Sequence, residues 1–256
     1  MSLHIEGVPF NDVLSFPFRG GRAFQRYLLL AGLTLLCFVI PVLPGLFAAG
    51  YSIRILRRAI REGKAEMPEW ADESRLLMDG IYSTIISWAY ILPGLLVLVG
   101  GFVLYFVSFM VIIPLSEQSE TFSAFYIFLP MLFLFGGLAV GTVLLALGII
   151  PLPVALCRYA DEGRLGAAFQ IGEIFKALKN NLIGYIGAFV VCSGFFYILY
   201  IVYMIAYFTV VLCCPAYLLM LAATPAAGCV YLAMIGLAYR QGKTVRTGKV
   251  LQTASV

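Results

Sequence analysis

The feature that most constrains this chain is a set of long apolar runs, Tyr27 to Ile53, Ile81 to Ile113, Phe122 to Cys157, Leu182 to Cys214 and Pro215 to Tyr239, none of which holds an Asp, Glu, Lys, Arg or His. A helix spanning the hydrocarbon core of a bilayer needs about 20 such residues, so every run is long enough to cross at least once. With 62% hydrophobic and 12% charged residues, the chain carries about half the charge of an ordinary soluble domain. A water-soluble single domain of 256 residues is excluded. The bilayer is the solvent.

Charge then orients the crossings. The 17 Lys and Arg residues fall in four places: Arg19 to Arg26, Arg54 to Arg75, Arg158 to Lys179, and Arg240 to Lys249. The connections Pro114 to Thr121 and Thr209 to Tyr217 hold none, and the first carries Glu117 and Glu120 instead. By the positive-inside rule the four basic segments face the cytoplasm and the two connections face outward. Arg26 and Arg54 flank one apolar run, so a single crossing there would strand three arginines outside. Pro41-Val42-Leu43-Pro44-Gly45 resolves the conflict as a helix stop and turn, with arms of roughly 22–40 and 46–62. The expected fold is an all-α polytopic transmembrane bundle of six crossings with both termini cytoplasmic. Five crossings, with the amino terminus outside, is the alternative. Residues 1–21 form a cytoplasmic segment, 22–240 the transmembrane domain, and 241–256 a cytoplasmic tail. Leu28 to Ile40 resembles a signal-peptide core, but no Lys or Arg precedes it within Met1 to Phe18, and the segment is read as retained.

Two cytoplasmic stretches read as interfacial. In Leu165 to Asn181, Leu165, Ala168, Gly172, Phe175 and Leu178 share one helical face opposite Gln170, Glu173, Lys176 and Asn180. Met67-Pro68-Glu69-Trp70 is a second, with Trp70 as headgroup-level anchor. The halves also echo each other: Arg58-Ala59-Ile60-Arg61-Glu62-Gly63-Lys64 against Arg158-Tyr159-Ala160-Asp161-Glu162-Gly163-Arg164. The shared device is an i, i+4 Arg and Glu pair closed by a glycine, and it suggests a repeat of 45–113 on 122–213.

Chemistry is sparse. His4 is the sole histidine, and the six cysteines, Cys37, Cys157, Cys192, Cys213, Cys214 and Cys229, lie in apolar runs without ligand spacing, so a metal centre or a histidine triad is unsupported. The cysteines read as small buried hydrophobes, with the adjacent Cys213 and Cys214 as the pair to test for oxidation. No phosphate loop is present. Gly137 and Gly141, in G-x-x-x-G spacing, read as a helix-packing face. Breaks at Pro93-Gly94, Pro130 and Pro151-Leu152-Pro153 read as kinks, and alternatively as substrate-binding backbone. No catalytic residue, cofactor or nucleic-acid interface is expected. Arg54, Arg57, Arg58 and Arg61 fall at i, i+3, i+4 and i+7 and form one stripe on a helix. That stripe either meets anionic lipid headgroups or is clamped by the carboxylates of Glu69, Asp72, Glu73 and Asp79.

Phe16-Pro17-Phe18, Gly50-Tyr51-x-x-Arg54 running into Arg57-Arg58, Gly63 followed by Met67-Pro68-Glu69-Trp70-x-Asp72, Asp79-Gly80, and Tyr159-Ala160-x-x-Gly163 with Ala167-Ala168-Phe169 together resemble the bacterial and archaeal membrane family called domain of unknown function 4013. Met67 stands where such proteins usually carry leucine. The resemblance implies a multi-pass protein of the cytoplasmic membrane and no activity. The expected role is a structural or accessory component of a membrane assembly, in contact with anionic lipid and partner subunits. The alternative is a transporter or permease for a neutral or weakly polar solute.

Overall fold

The computed structural model describes residues 4–5, 8–18, 21–37, 39–40, 42–116, 123–208 and 213–254, with side chains outside 4–11, 113–116, 123–127, 213–216, 218–219, 221–222 and 245–254. Apart from an antiparallel pairing of two short strands, β1 (His4–Ile5) on β2 (Val8–Pro9), the regular structure of the described chain is helical. The helices are α1 (Phe10–Ser15), α2 (Gly21–Leu36), α3 (Val42–Glu62), α4 (Glu73–Ser116), α5 (Ser123–Ile149), α6 (Leu152–Glu162), α7 (Ile171–Asn180), α8 (Leu182–Phe208) and α9 (Cys213–Ala254). Short 3-10 turns cover Phe16–Phe18 and Leu165–Phe169. Among the described residues, three stretches are long and apolar enough to cross a membrane: Glu73–Ile112, Phe128–Glu162 and Leu182–Phe208. Helix α4 stays helical through Pro93 and α5 through Pro130, while the chain turns at Ile150-Pro151.

Contacts divide the chain into two compact units, one of Met1–Thr84 with Pro153–Val256, the other Ile85–Leu152. In the first, α9 packs along α8 and α3 and also touches α2 and α7. Its core joins Tyr51, Ile53, Leu56, Ala59 and Ile60 of α3 to Ala233, Met234, Leu237 and Ala238 of α9. Gly236 lets the two backbones approach, since a Cβ there would lie 2.7 Å from the Ala59 Cβ.

The expected helix stop is present, displaced from the expected bounds. Helix α2 ends at Leu36, whose carbonyl accepts from Val39 and Ile40, and α3 begins at Val42. Pro41 disfavours helical geometry at Ile40. Pro44 breaks nothing, because a proline in the first turn displaces no intrahelical hydrogen bond. The two helices pack on each other, and a Cβ on Gly45 would lie 3.9 Å from the Cys37 Sγ.

The single helix expected over Leu165 to Asn181 is two pieces. Gln170, at φ −79 and ψ 77, separates the 3-10 turn from α7. The buried residues are Ala167, Ala168 and Ile174, while Ile171 and Phe175 are exposed. Of the expected apolar face, Ala168 is buried, Leu165 and Leu178 half-buried, and Gly172 and Phe175 exposed.

The second unit is a helix pair, the later part of α4 against α5, and glycines set its spacing. A Cβ on Gly137 would lie 2.6 Å from the Gly101 Cα, and one on Gly141 would lie 2.8 Å from the Leu98 Cβ. Beside them, Gly100 and Gly136 face open space. Neighbouring glycines should therefore respond oppositely to one methyl group. Gly137→Ala should cost about 1–3 kcal/mol through overpacking, whereas Gly136→Ala should be neutral or stabilising by up to about 1 kcal/mol. Denaturation in detergent followed by circular dichroism compares them, and equal effects at both positions would refute the packing.

The thiols of Cys37, Cys157, Cys192 and Cys229 are free. The side chains of Cys213 and Cys214 lie outside the described residues, as do the connections at 117–122 and 209–212.

Candidate functional site

The first unit concentrates its polar chemistry around α3 and the strap that follows it. Helix α3 ends where Gly63 takes φ 67, a left-handed conformation that costs glycine little. Its N–H closes the helix on the Ala59 carbonyl at 3.1 Å. The chain then runs without helix through 63–72 and enters α4 at Glu73, with Asp72 at φ 51, a conformation aspartate tolerates better than most residues. The close approach of α3 and α4 at Gly50 and Gly80 brings Asp79 beside Arg57.

Asp79 is the centre of a buried joint. Arg57 donates to it through both forks, Nη1 to Oδ2 at 2.9 Å and Nη2 to Oδ1 at 3.2 Å. Tyr159 of α6 donates its hydroxyl to Oδ1 at 2.9 Å. Arg57 Nε completes the set by donating to the Ala160 carbonyl at 3.3 Å. With the Asp79 and Arg57 side chains only 8% and 17% exposed, the pair is shielded from the solvent screening that weakens surface pairs. Tyr82 of α4 sets its ring edge-on to Tyr159 at 6.0 Å. Three helices, α3, α4 and α6, are fastened by one carboxylate.

The strap is held differently, by its backbone. An extended segment cannot satisfy its own carbonyls, and here side chains from α2 and α3 do so. Arg26 Nη1 donates to the Met67 carbonyl at 2.7 Å and the Tyr51 hydroxyl to that of Pro68 at 2.8 Å. Arg54 donates to the carbonyls of Glu69 and Asp72 at 3.2 and 2.8 Å. The Trp70 indole stacks on the Tyr51 ring at 4.2 Å and donates to the Arg26 carbonyl at 3.4 Å.

Of the sixteen pairings between the arginine stripe and the expected carboxylates, the structure brings together Arg57 with Asp79. Arg58 pairs with Glu62 and Glu66 instead, each at 3.0 Å. Glu69 pairs with Arg26 at 2.8 Å, and Arg61 donates to the Asp161 carbonyl at 3.4 Å. Asp72 offers Arg54 its carbonyl, and Glu73 sits exposed in the first turn of α4, where a negative charge suits the helix dipole. Gly137 and Gly141 belong to the second unit, as described. Arg26, Tyr51, Glu66 and Tyr159 went unseen as site residues. Tyr51 had a signal, since it extends the Arg54, Arg58 stripe by one helical turn.

Both echoed segments build the same helix end. Arg58 pairs with Glu62 at 3.0 Å and Arg158 with Glu162 at 2.7 Å, and Gly163 mirrors Gly63 with φ 70 and a 2.8 Å bond from its N–H to the Tyr159 carbonyl. Arg158 is the more buried arginine and also donates to Gln170 Oε1 at 2.7 Å. Around it a cavity of about 200 Å³ is lined by Asp161, Glu173, Asn180, Tyr239 and Lys243 among others, and Lys243 bonds Asp161 at 2.7 Å. Among the described residues, no group of three or more His, Cys, Asp or Glu could hold a metal.

No curated protein and no solved structure matches the chain significantly. Residues 33–208 match a family described as protein of unknown function (DUF4013), a span covering more than half of the chain. The chain belongs to that family.

Proposed function

We propose that the protein is a multi-pass component of a prokaryotic cytoplasmic membrane, with six crossings and both termini cytoplasmic, that serves a structural or accessory role in a membrane assembly and has no catalytic centre of its own. One observation carries the topology: the helix ends assigned to the cytoplasm bond to one another. Arg26, near the start of α2, reaches Met67 and Glu69, just beyond the end of α3. Arg57 near the end of α3, Asp79 near the start of α4 and Tyr159 near the end of α6 share the buried joint. Asn181, before α8, donates to the Ala238 carbonyl of α9 at 2.8 Å. Five crossings would put the start of α2 on the opposite side of the membrane from the end of α3. The accessory role is supported by the use of those charges, which fasten helices to each other. It is supported also by the apolar sides of the long helices, where residues such as Phe128, Ile183 and Phe208 are more than three-quarters exposed and face lipid or a partner.

Two measurements test this. A cysteine introduced as Ser15→Cys, with the native cysteines replaced, should react with an impermeant maleimide only after cells are opened, and reaction on intact cells would restore five crossings. Purification in mild detergent should retain a membrane-protein partner in fixed stoichiometry. A monodisperse lone chain that conducts a neutral solute in vesicles would replace the accessory reading with the transporter.

A further inference from the structure

A cleft of about 270 Å³ opens beside α3, lined by Arg54, Arg57, Arg58, Arg61, Glu62 and Pro68. Ligand pockets begin near ~300 Å³, so it suits a single small group. Its charge is unevenly compensated. Arg57 is neutralised by Asp79, and Arg58 by Glu62 and Glu66. Arg54 and Arg61, among the described residues, donate only to main-chain carbonyls, those of Glu69, Asp72 and Asp161. A carbonyl orients a guanidinium without cancelling its charge. The cleft therefore presents two positive forks, held in place beforehand and lacking a counter-ion.

We propose that this cleft binds an anionic phosphate group. A guanidinium fork matches phosphate oxygens in geometry and charge, and forks already ordered by main-chain carbonyls, Arg54 by the strap and Arg61 by Asp161 of α6, lose little freedom on binding. The cleft lies at the polar end of α3, next to the apolar run that ends at Ile53, where a phosphodiester headgroup would arrive from the bilayer. Free phosphate offers the same chemistry from solution. The site needs only α3, its strap and the end of α6, which lie on the same side with five crossings or six, so it does not depend on the number of crossings.

The test begins with the unaltered protein in neutral detergent, treated with phenylglyoxal, which modifies accessible arginines, and read by peptide mass spectrometry. Dioleoyl phosphatidylglycerol should slow modification of Arg54 and Arg61 by about fivefold or more relative to dioleoyl phosphatidylcholine, the effect of about 1 kcal/mol per arginine, with exposed Arg75 as the unchanged reference. Protection by inorganic phosphate as well identifies a soluble ligand, and protection by phosphatidylglycerol alone identifies the lipid. Rates at Arg54 and Arg61 that inorganic phosphate leaves unchanged and that are equal in the two lipids overturn the proposal, whether or not any variant folds. In binding measurements with whichever probe protects, the double variant Arg54→Gln, Arg61→Gln should lose about 30-fold in affinity while Arg75→Gln does not. Unchanged affinity in a folded double variant overturns it too.

Discussion

Asp79→Ala is expected to lower the unfolding free energy by about 3–5 kcal/mol, the usual cost of breaking a buried ion pair by removing one partner. The carboxylate accepts three hydrogen bonds, two from Arg57 and one from Tyr159. Its loss leaves a guanidinium 17% exposed with one remaining bond, to the Ala160 carbonyl. Most of the penalty is this uncompensated charge, which makes a graded series predictable. Tyr159→Phe removes one bond to a charged group and should cost about 1.5–3 kcal/mol. Arg57→Met combined with Asp79→Leu removes both charges together and should cost much less than Asp79→Ala alone, since apolar replacements of a whole buried pair are often neutral. Chemical denaturation in detergent micelles, followed by circular dichroism, gives the order. An Asp79→Ala protein as stable as the parent, or a double replacement as damaging as the single one, would show that the joint does not hold the helices.

Much of the architecture was legible because long apolar runs simplify the reading. Runs without ionisable residues mark helices directly, and two prolines with a glycine located the break between α2 and α3 to within a few residues. The arginine stripe was legible from spacing alone, as was the echoed helix end, whose glycines at 63 and 163 both adopt positive φ. What the sequence hid were the partners. A search for carboxylates opposite arginines cannot see that Arg54 and Arg61 end on main-chain carbonyls, because every residue carries one. Nor could it place Glu69 of the strap on Arg26 of α2, which is 43 residues away. The split between Leu165 and Asn181 was hidden for a related reason. No glycine or proline stands between Phe169 and Ile171, and Gln170 is instead held by Arg158, a contact that exists only in the folded chain.

Gly80→Ala and Gly50→Ala should each cost about 3 kcal/mol, the upper end of ordinary overpacking, because the obstacle at this crossing is backbone and cannot rotate aside. A methyl on Gly50 would collide with the Leu76 carbonyl oxygen and one on Gly80 with that of Leu46, and each would also lie 3.1–3.2 Å from the other glycine's nitrogen. Helices α3 and α4 would have to separate. Gly32, within α2, faces open space, so Gly32→Ala should be neutral or stabilising by up to about 1 kcal/mol and shows that alanine itself is not the cause. The crossing and the ion pair are neighbours: Asp79 precedes Gly80, and Arg57 lies two helical turns beyond Gly50. Separating the helices must lengthen the bonds of Arg57 to Asp79, so the losses from Gly80→Ala and Asp79→Ala should overlap. The double variant should fall short of the sum of the single losses by about 1 kcal/mol or more, as contacting residues in one network do. Strict additivity would mean that the glycine contact and the carboxylate hold α3 and α4 independently, and the mechanical link between them would have to be abandoned.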